Sequence, residues 1–151
     1  MLKGKLLHSP EEMDGAKKTF ETVLKLIDSA KESIKIHMYV WRSDEIGNCI
    51  GEALFRAAER GVEINITKDR SAMMYERIEM NRKSYLPCEP SKLRGLWWKL
   101  IAPTFPDTFI EDQFVNGAGQ KLINHTNVKI EWVEGIHTHQ KYYLIDKKHL
   151  V

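Results

Sequence analysis

The sequence predicts an α/β fold, a mixed and largely parallel sheet flanked by helices. Residues 33–69 read as strand, helix and strand in immediate succession, and such a unit closes as a parallel pair joined by a right-handed crossover. Two later segments read as strands and extend the sheet: residues 128–133, by alternation of apolar and polar side chains, and residues 140–145. Of the 151 residues, 42% are hydrophobic and 29% charged, which is globular composition and excludes a disordered or fibrous chain.

The elements follow in order. Ser9-Pro10-Glu11-Glu12 starts a helix: Ser9 can cap it, Pro10 suits its first turn, and Glu12 stands at the capping-box position. Met13, Ala16, Phe20, Val23, Leu24 and Ile27 then recur at helical spacing, and the helix should end near residues 30–31. In the strand at 33–41, Ile34, Ile36, Met38 and Val40 point one way and Lys35, His37, Tyr39 and Trp41 the other. Ser43-Asp44 offers the next cap. Ile46, Ile50, Ala53, Leu54, Ala57 and Ala58 line the second helix, and Gly61 closes it. A second strand begins at Val62 and ends at Lys68-Asp69.

The regular pattern is lost over residues 70–119, where four of the five prolines fall. Within that insertion, residues 90–101 can form a short helix with Leu93, Leu96, Trp97, Leu100 and Ile101 to one side. From residue 77 to 101, six Lys or Arg face two Glu, a local excess of four. Lys92, Arg94 and Lys99 beside Trp97 and Trp98 suit an interfacial contact with anionic lipid. An insertion packed on the domain explains the tryptophans equally well. A nucleic-acid groove is a weaker fit. The whole reads as one domain, residues 1–151, that stops at Val151 where a hairpin should be starting, so the sequence is expected to be a piece of a longer protein.

Charge and composition bound the function. A net charge of +2 is far from the basic excess of a dedicated nucleic-acid binder. Cys49 and Cys88 stand far apart and outside CxxC spacing, which favours free thiols in a reducing compartment. No apolar run approaches a membrane span, and the first ten residues lack a signal-peptide core.

The sharpest chemical signal is His139-x-Lys141-x-x-x-x-Asp146. His139 lies at the mouth of a strand and Lys141 shares its face. An imidazole and an ammonium projecting together suit attack on a phosphate and neutralisation of its oxygens. Asp146 cannot share that face by alternation, and its place after the strand fits a structural or charge-balancing role. Alone, the pair would read as solvated residues at a loop edge. His137 and His139 with His125 could be read as metal ligands, but no third ligand stands at a convincing spacing. His37, Tyr39 and Trp41 fit packing beneath a helix better than a pocket wall.

This pattern is the HKD motif, and with it the chain resembles the phospholipase D superfamily. Residues 34–41, Ser43-Asp44-Glu45-Ile46-Gly47 and the run Ala57-Ala58-Glu59-Arg60-Gly61-Val62 look most like the opening βαβ of bacterial cardiolipin synthases. The likeness covers residues 30–69 and 127–146. It implies the N-terminal part of a phospholipase D-like half, no cofactor and, for most members, no metal. It also implies catalysis by paired HKD motifs, one histidine forming a phosphohistidine and the other protonating the leaving alcohol. By motif position, His139 would be nucleophile or acid/base partner, Lys141 would hold phosphate and Asp146 would support the site. Only one motif stands here, so its partner would come from downstream sequence or a second chain.

The function expected is phosphatidyl transfer of the cardiolipin synthase type, with an anionic, phosphatidylglycerol-like lipid as substrate and a membrane surface as partner. That implies a cytoplasmic protein peripheral to the inner face of the cell membrane. Phospholipid hydrolysis, a phospholipase D-like nuclease, and a non-catalytic fragment or lipid-binding module are the alternatives.

Overall fold

The computed structural model describes residues 15–70, 72, 84–86, 100, 117–133 and 140–151. Helix α1 spans Gly15–Ser29, strand β1 Ser33–Met38, helix α2 Glu45–Glu59 and strand β2 Glu63–Asp69. Helix α3 (Gly117–Ile123) follows, then β3 (Val128–Val133), β4 (Tyr142–Ile145) and β5 (His149–Leu150). The five strands form one mixed sheet in the order β3-β2-β1-β4-β5. The two strands of the βαβ unit, β1 and β2, are parallel, with Ile34 opposite Ile64, and β3 joins them in parallel, with Ile64 opposite Val128. β4 runs antiparallel to β1, pairing Ile34 with Ile145 and His37 with Tyr142, and β5 completes a hairpin with β4.

Alternation decides which sheet face is buried. Ile34, Ile36, Ile64, Ile66, Tyr143 and Ile145 are buried, while Lys35 between them is exposed. Val23 and Ile27 of α1, Leu54 and Ala57 of α2, and Leu122 of α3 complete the same core. The helix-start residues Ser9, Pro10 and Glu12 lie outside the described residues.

Helix α2 begins and ends on the residues the sequence marks. Asp44 has extended backbone and its carboxylate accepts from the Gly47 N–H at 2.8 Å, satisfying one of the orphan donors at the helix start. At the other end, Gly61 has φ +91°; its N–H donates to the Ala58 carbonyl, and the Val62 N–H to that of Ala57. Those paired bonds form a Schellman ending, whose turn residue needs the left-handed backbone that glycine allows. A methyl group at Gly61 would meet nothing within 4 Å, so Gly61→Ala should cost only its backbone strain, about 1 kcal/mol. A lower urea midpoint at constant slope is the expected result; an unchanged midpoint would mean the turn tolerates a side chain.

Strand β1 is shorter than the alternation predicts. It ends at Met38, after which Trp41 turns into the core instead of continuing the pattern. Its indole N–H donates to the Gly47 carbonyl at 3.1 Å, and its ring stacks on Tyr85 at 5.1 Å. Tyr39 and Trp41 are buried, as expected, whereas His37 stays half-exposed with its ring 5.7 Å from that of Tyr142. Tyr85 belongs to the irregular insertion. The chain returns there to the core: the Tyr85 N–H donates to the Trp41 carbonyl, Ser84 bridges Arg42, and the ring fills space that a side chain at Gly51 would take. Helix α3 starts inside the segment read as irregular and packs on α2.

Candidate active site at the carboxyl ends of the parallel strands

Lys141 lies one residue before β4, next to Tyr142, which sits opposite His37 near the carboxyl end of β1. Because β4 is antiparallel, its beginning meets the ends of the parallel strands. Ligands of open α/β sheets bind at that end. Lys141 is exposed there. His139 and His137 lie outside the described residues, as do Lys92, Arg94, Trp97, Trp98 and Lys99.

Asp146 stands at the other end of the same strand. Lys141 and Asp146 are separated by the length of β4, roughly 15 Å at strand rise, so the structure does not bring them together. The Asp146 carboxylate is held by three successive backbone N–H groups at the junction of α1 and β1. Oδ1 accepts from Glu32 at 2.8 Å and Ser33 at 3.0 Å, and Oδ2 from Lys31 at 3.0 Å. The Asp146 N–H in turn donates to the Ser33 carbonyl at 2.7 Å. Burial alone would raise the pKa of this carboxyl, but the three N–H donors and nearby Lys148 outweigh it and hold the value below the ordinary 3.8. Asp146 (φ 49°) and Lys147 (φ 56°) are the central pair of the hairpin turn to β5, which the Lys148 N–H closes on the Ile145 carbonyl at 3.0 Å, and both take the left-handed backbone such a turn requires. Asp146 therefore fastens β4 to β1 and touches nothing at the Lys141 end.

His125 also stands away from Lys141. It precedes β3 at the amino end of the parallel strands, its Nδ1 accepting from the Asn127 N–H at 3.2 Å and its ring edge-on to Phe55. Among the described residues, no group of three His, Cys, Asp or Glu side chains is placed to hold a metal ion. Cys49 is an exposed free thiol; Cys88 lies outside the described residues.

Two features of this end were not singled out by sequence. Lys68 is fully buried at the end of β2, between Met38 and Trp132 in register. Its ammonium donates to Ser84 Oγ at 3.1 Å and lies 5.6 Å from the centre of the Trp132 ring. The sequence did hold a signal, since Lys68 falls in the buried phase set by Ile64 and Ile66. The second feature is a cavity of about 460 Å³ between α1, the start of α2 and the end of β1. Phe20, Val23, Val40 and Ile50 form apolar walls, and Lys141 and Tyr143 border it.

Comparison with known proteins places this arrangement. The family model described as "Cardiolipin synthase, PLD-like domain" matches residues 23–151. The cardiolipin synthase of Oceanobacillus iheyensis is 29% identical over 135 residues, covering 89% of this chain and 26% of the relative. Cardiolipin synthase 1 of Bacillus cereus is 28% identical over 132 residues, covering 86% of this chain and 24% of the relative. The chain thus spans about a quarter of the length of these relatives. Among solved structures, NucT from Helicobacter pylori superposes with a TM-score of 0.56 at 18% identity, over 99% of this chain and 72% of that one, a likeness of fold. With the family model matched over most of its length, the chain belongs to the phospholipase D-like domains of the cardiolipin synthase family.

Proposed function

We propose that this domain serves phosphatidyl transfer of the cardiolipin synthase type, through a phosphohistidine intermediate. The observation that carries the reading is the family match extending through the HKD motif, whose Lys141 is exposed at the carboxyl ends of the parallel strands.

In this reading one motif's histidine nitrogen attacks the phosphorus of an anionic glycerophospholipid, and the bond from phosphorus to the headgroup alcohol breaks. The other motif's histidine gives that alcohol its proton. A hydroxyl of a second lipid then attacks phosphorus, returns its proton to the same acid/base group and frees the nucleophile. His139 takes one of these two roles. Lys141 neutralises the non-bridging phosphate oxygens, on which charge builds during attack. Asp146 acts through the fold, locking the strand that carries Lys141.

The second motif comes from downstream sequence or a partner chain. Lys92, Arg94, Trp97, Trp98 and Lys99 contact an anionic membrane surface, and the protein works at the inner face of the cell membrane. No helix among the described residues is long and apolar enough to cross a membrane.

Product analysis tests the reading. On phosphatidylglycerol vesicles the protein is expected to release glycerol and form a lipid with two phosphates. Phosphatidic acid as the main product would instead assign hydrolysis, and cleavage of DNA with no lipid product would overturn the lipid assignment.

A further inference from the structure

We propose that Lys68 is a positioning residue for the reaction at Lys141: through Ser84 it fixes the loop that joins β1 to α2, beside that lysine. The proposal rests on the reading of Lys141 as the cation that holds the phosphate. It starts from a chain of contacts that runs from the end of β2 to the loop. The Lys68 ammonium donates to Ser84 Oγ at 3.1 Å, and Ser84 Oγ donates to the Leu86 carbonyl at 3.0 Å. Ser84 bridges Arg42 in antiparallel fashion, and the Tyr85 N–H donates to the Trp41 carbonyl at 2.9 Å. The Tyr85 ring stacks on Trp41, whose indole is tied to Gly47 at the start of α2. Trp41, Arg42 and Met38, the last paired with Lys68 in register, line the same space as Lys141. That proximity is independent of what occupies the space.

The residue type at position 68 is the reason to assign it a function. Ile64 and Ile66 precede it in the same buried phase, and a methionine would fill the position without desolvating an ammonium. Even a well-paired buried ion is often no more stabilising than an apolar side chain of similar volume. Apolar contact is non-directional, so it would hold residues 84–86 against the sheet without fixing their register. Hydrogen bonds from an ammonium and a hydroxyl have preferred distances and angles and select one arrangement. Trp41 and Arg42 are thereby set in one place relative to Lys141. A displacement of about 1 Å near a reacting centre can cost about 10²-fold in rate. Lys68 itself is fully buried and acts at one remove.

The test combines turnover with hydrogen exchange in Lys68→Met, Ser84→Ala and the double variant, at a temperature where all three stay folded. The Tyr85 amide, bonded to the Trp41 carbonyl, reports the contact independently of the reaction. Its exchange should quicken about fivefold or more in each variant, the scale of one lost hydrogen bond, while the amides of β2 and β3 stay protected. On phosphatidylglycerol vesicles Lys68→Met should lower kcat about ten- to hundredfold and leave KM little changed. The double variant should be no slower than Lys68→Met, because the two residues act through one contact.

A merely structural Lys68 would lower the melting temperature and leave kcat of the folded protein unchanged, which would overturn the proposal. Unchanged Tyr85 exchange would overturn it too, as would additive losses in the double variant, since Lys68 would then act other than through Ser84. A wild-type protein that makes phosphatidic acid or cuts DNA sinks the transfer reading instead. The kcat of that reaction then replaces lipid transfer, with the same fall expected in Lys68→Met.

Discussion

Replacing His139 with alanine is expected to lower phosphatidylglycerol turnover by about 10⁴-fold or more, the scale seen when a nucleophile or its proton partner is removed. The size of the effect follows from the chemistry. Without an imidazole, either no covalent intermediate forms or the alkoxide leaves without its proton, and water cannot substitute at comparable effective concentration. The melting temperature should not move. Wild-type turnover in a folded His139→Ala protein would remove His139 from the reaction.

The second large effect is structural and lies at the opposite end of β4. Asp146→Ala strips the acceptor from the N–H groups of Lys31, Glu32 and Ser33 and leaves alanine in a left-handed turn. Charge-assisted bonds of this type contribute strongly, but the site is only partly shielded from water, which reduces their worth. A loss of about 2–3 kcal/mol is expected. Asp146→Asn keeps an acceptor and tolerates the turn, so it should lose less.

The two variants also separate charge from geometry. In the folded protein the Asp146 pKa is lowered from 3.8. Its contribution is therefore full above the unfolded value and is lost as pH falls through the folded one. Urea midpoints should show a wild-type advantage over Asp146→Asn at pH 7 that shrinks below pH 3.8. A constant advantage down to pH 2 would show that the carboxylate's charge is not what the three amides stabilise.

Local physics made much of this fold legible. Period-two alternation placed Ile34, Ile36, Ile64 and Ile66 on the covered face, and the Asp44 cap and Gly61 turn bracketed α2 where the sequence marks them. What local pattern could not show was long-range return. Strand β1 stops at Met38 because Trp41 is drawn onto Gly47 and Tyr85, and nothing in residues 33–41 announces a partner more than forty residues later. Helix α3 was hidden by its glycines, Gly117 and Gly119, which lower helix propensity although Leu122 anchors it in the core.

The candidate site divides in the same way. The motif spacing singled out Lys141 as a candidate, and strand alternation already separated Asp146 from its face. The reason for Asp146, a cradle of amides more than a hundred residues upstream, needed the fold. Lys68 was readable as a lysine in a buried phase, but its Ser84 partner was not.

The central claim, transfer through a covalent histidine intermediate, is tested most directly by the stereochemical course at phosphorus. Phosphatidylglycerol made chiral at phosphorus would be turned over by the protein and the configuration of the product determined. Two successive in-line displacements predict net retention. Net inversion would mean a single displacement by the acceptor alcohol and would contradict the phosphohistidine account.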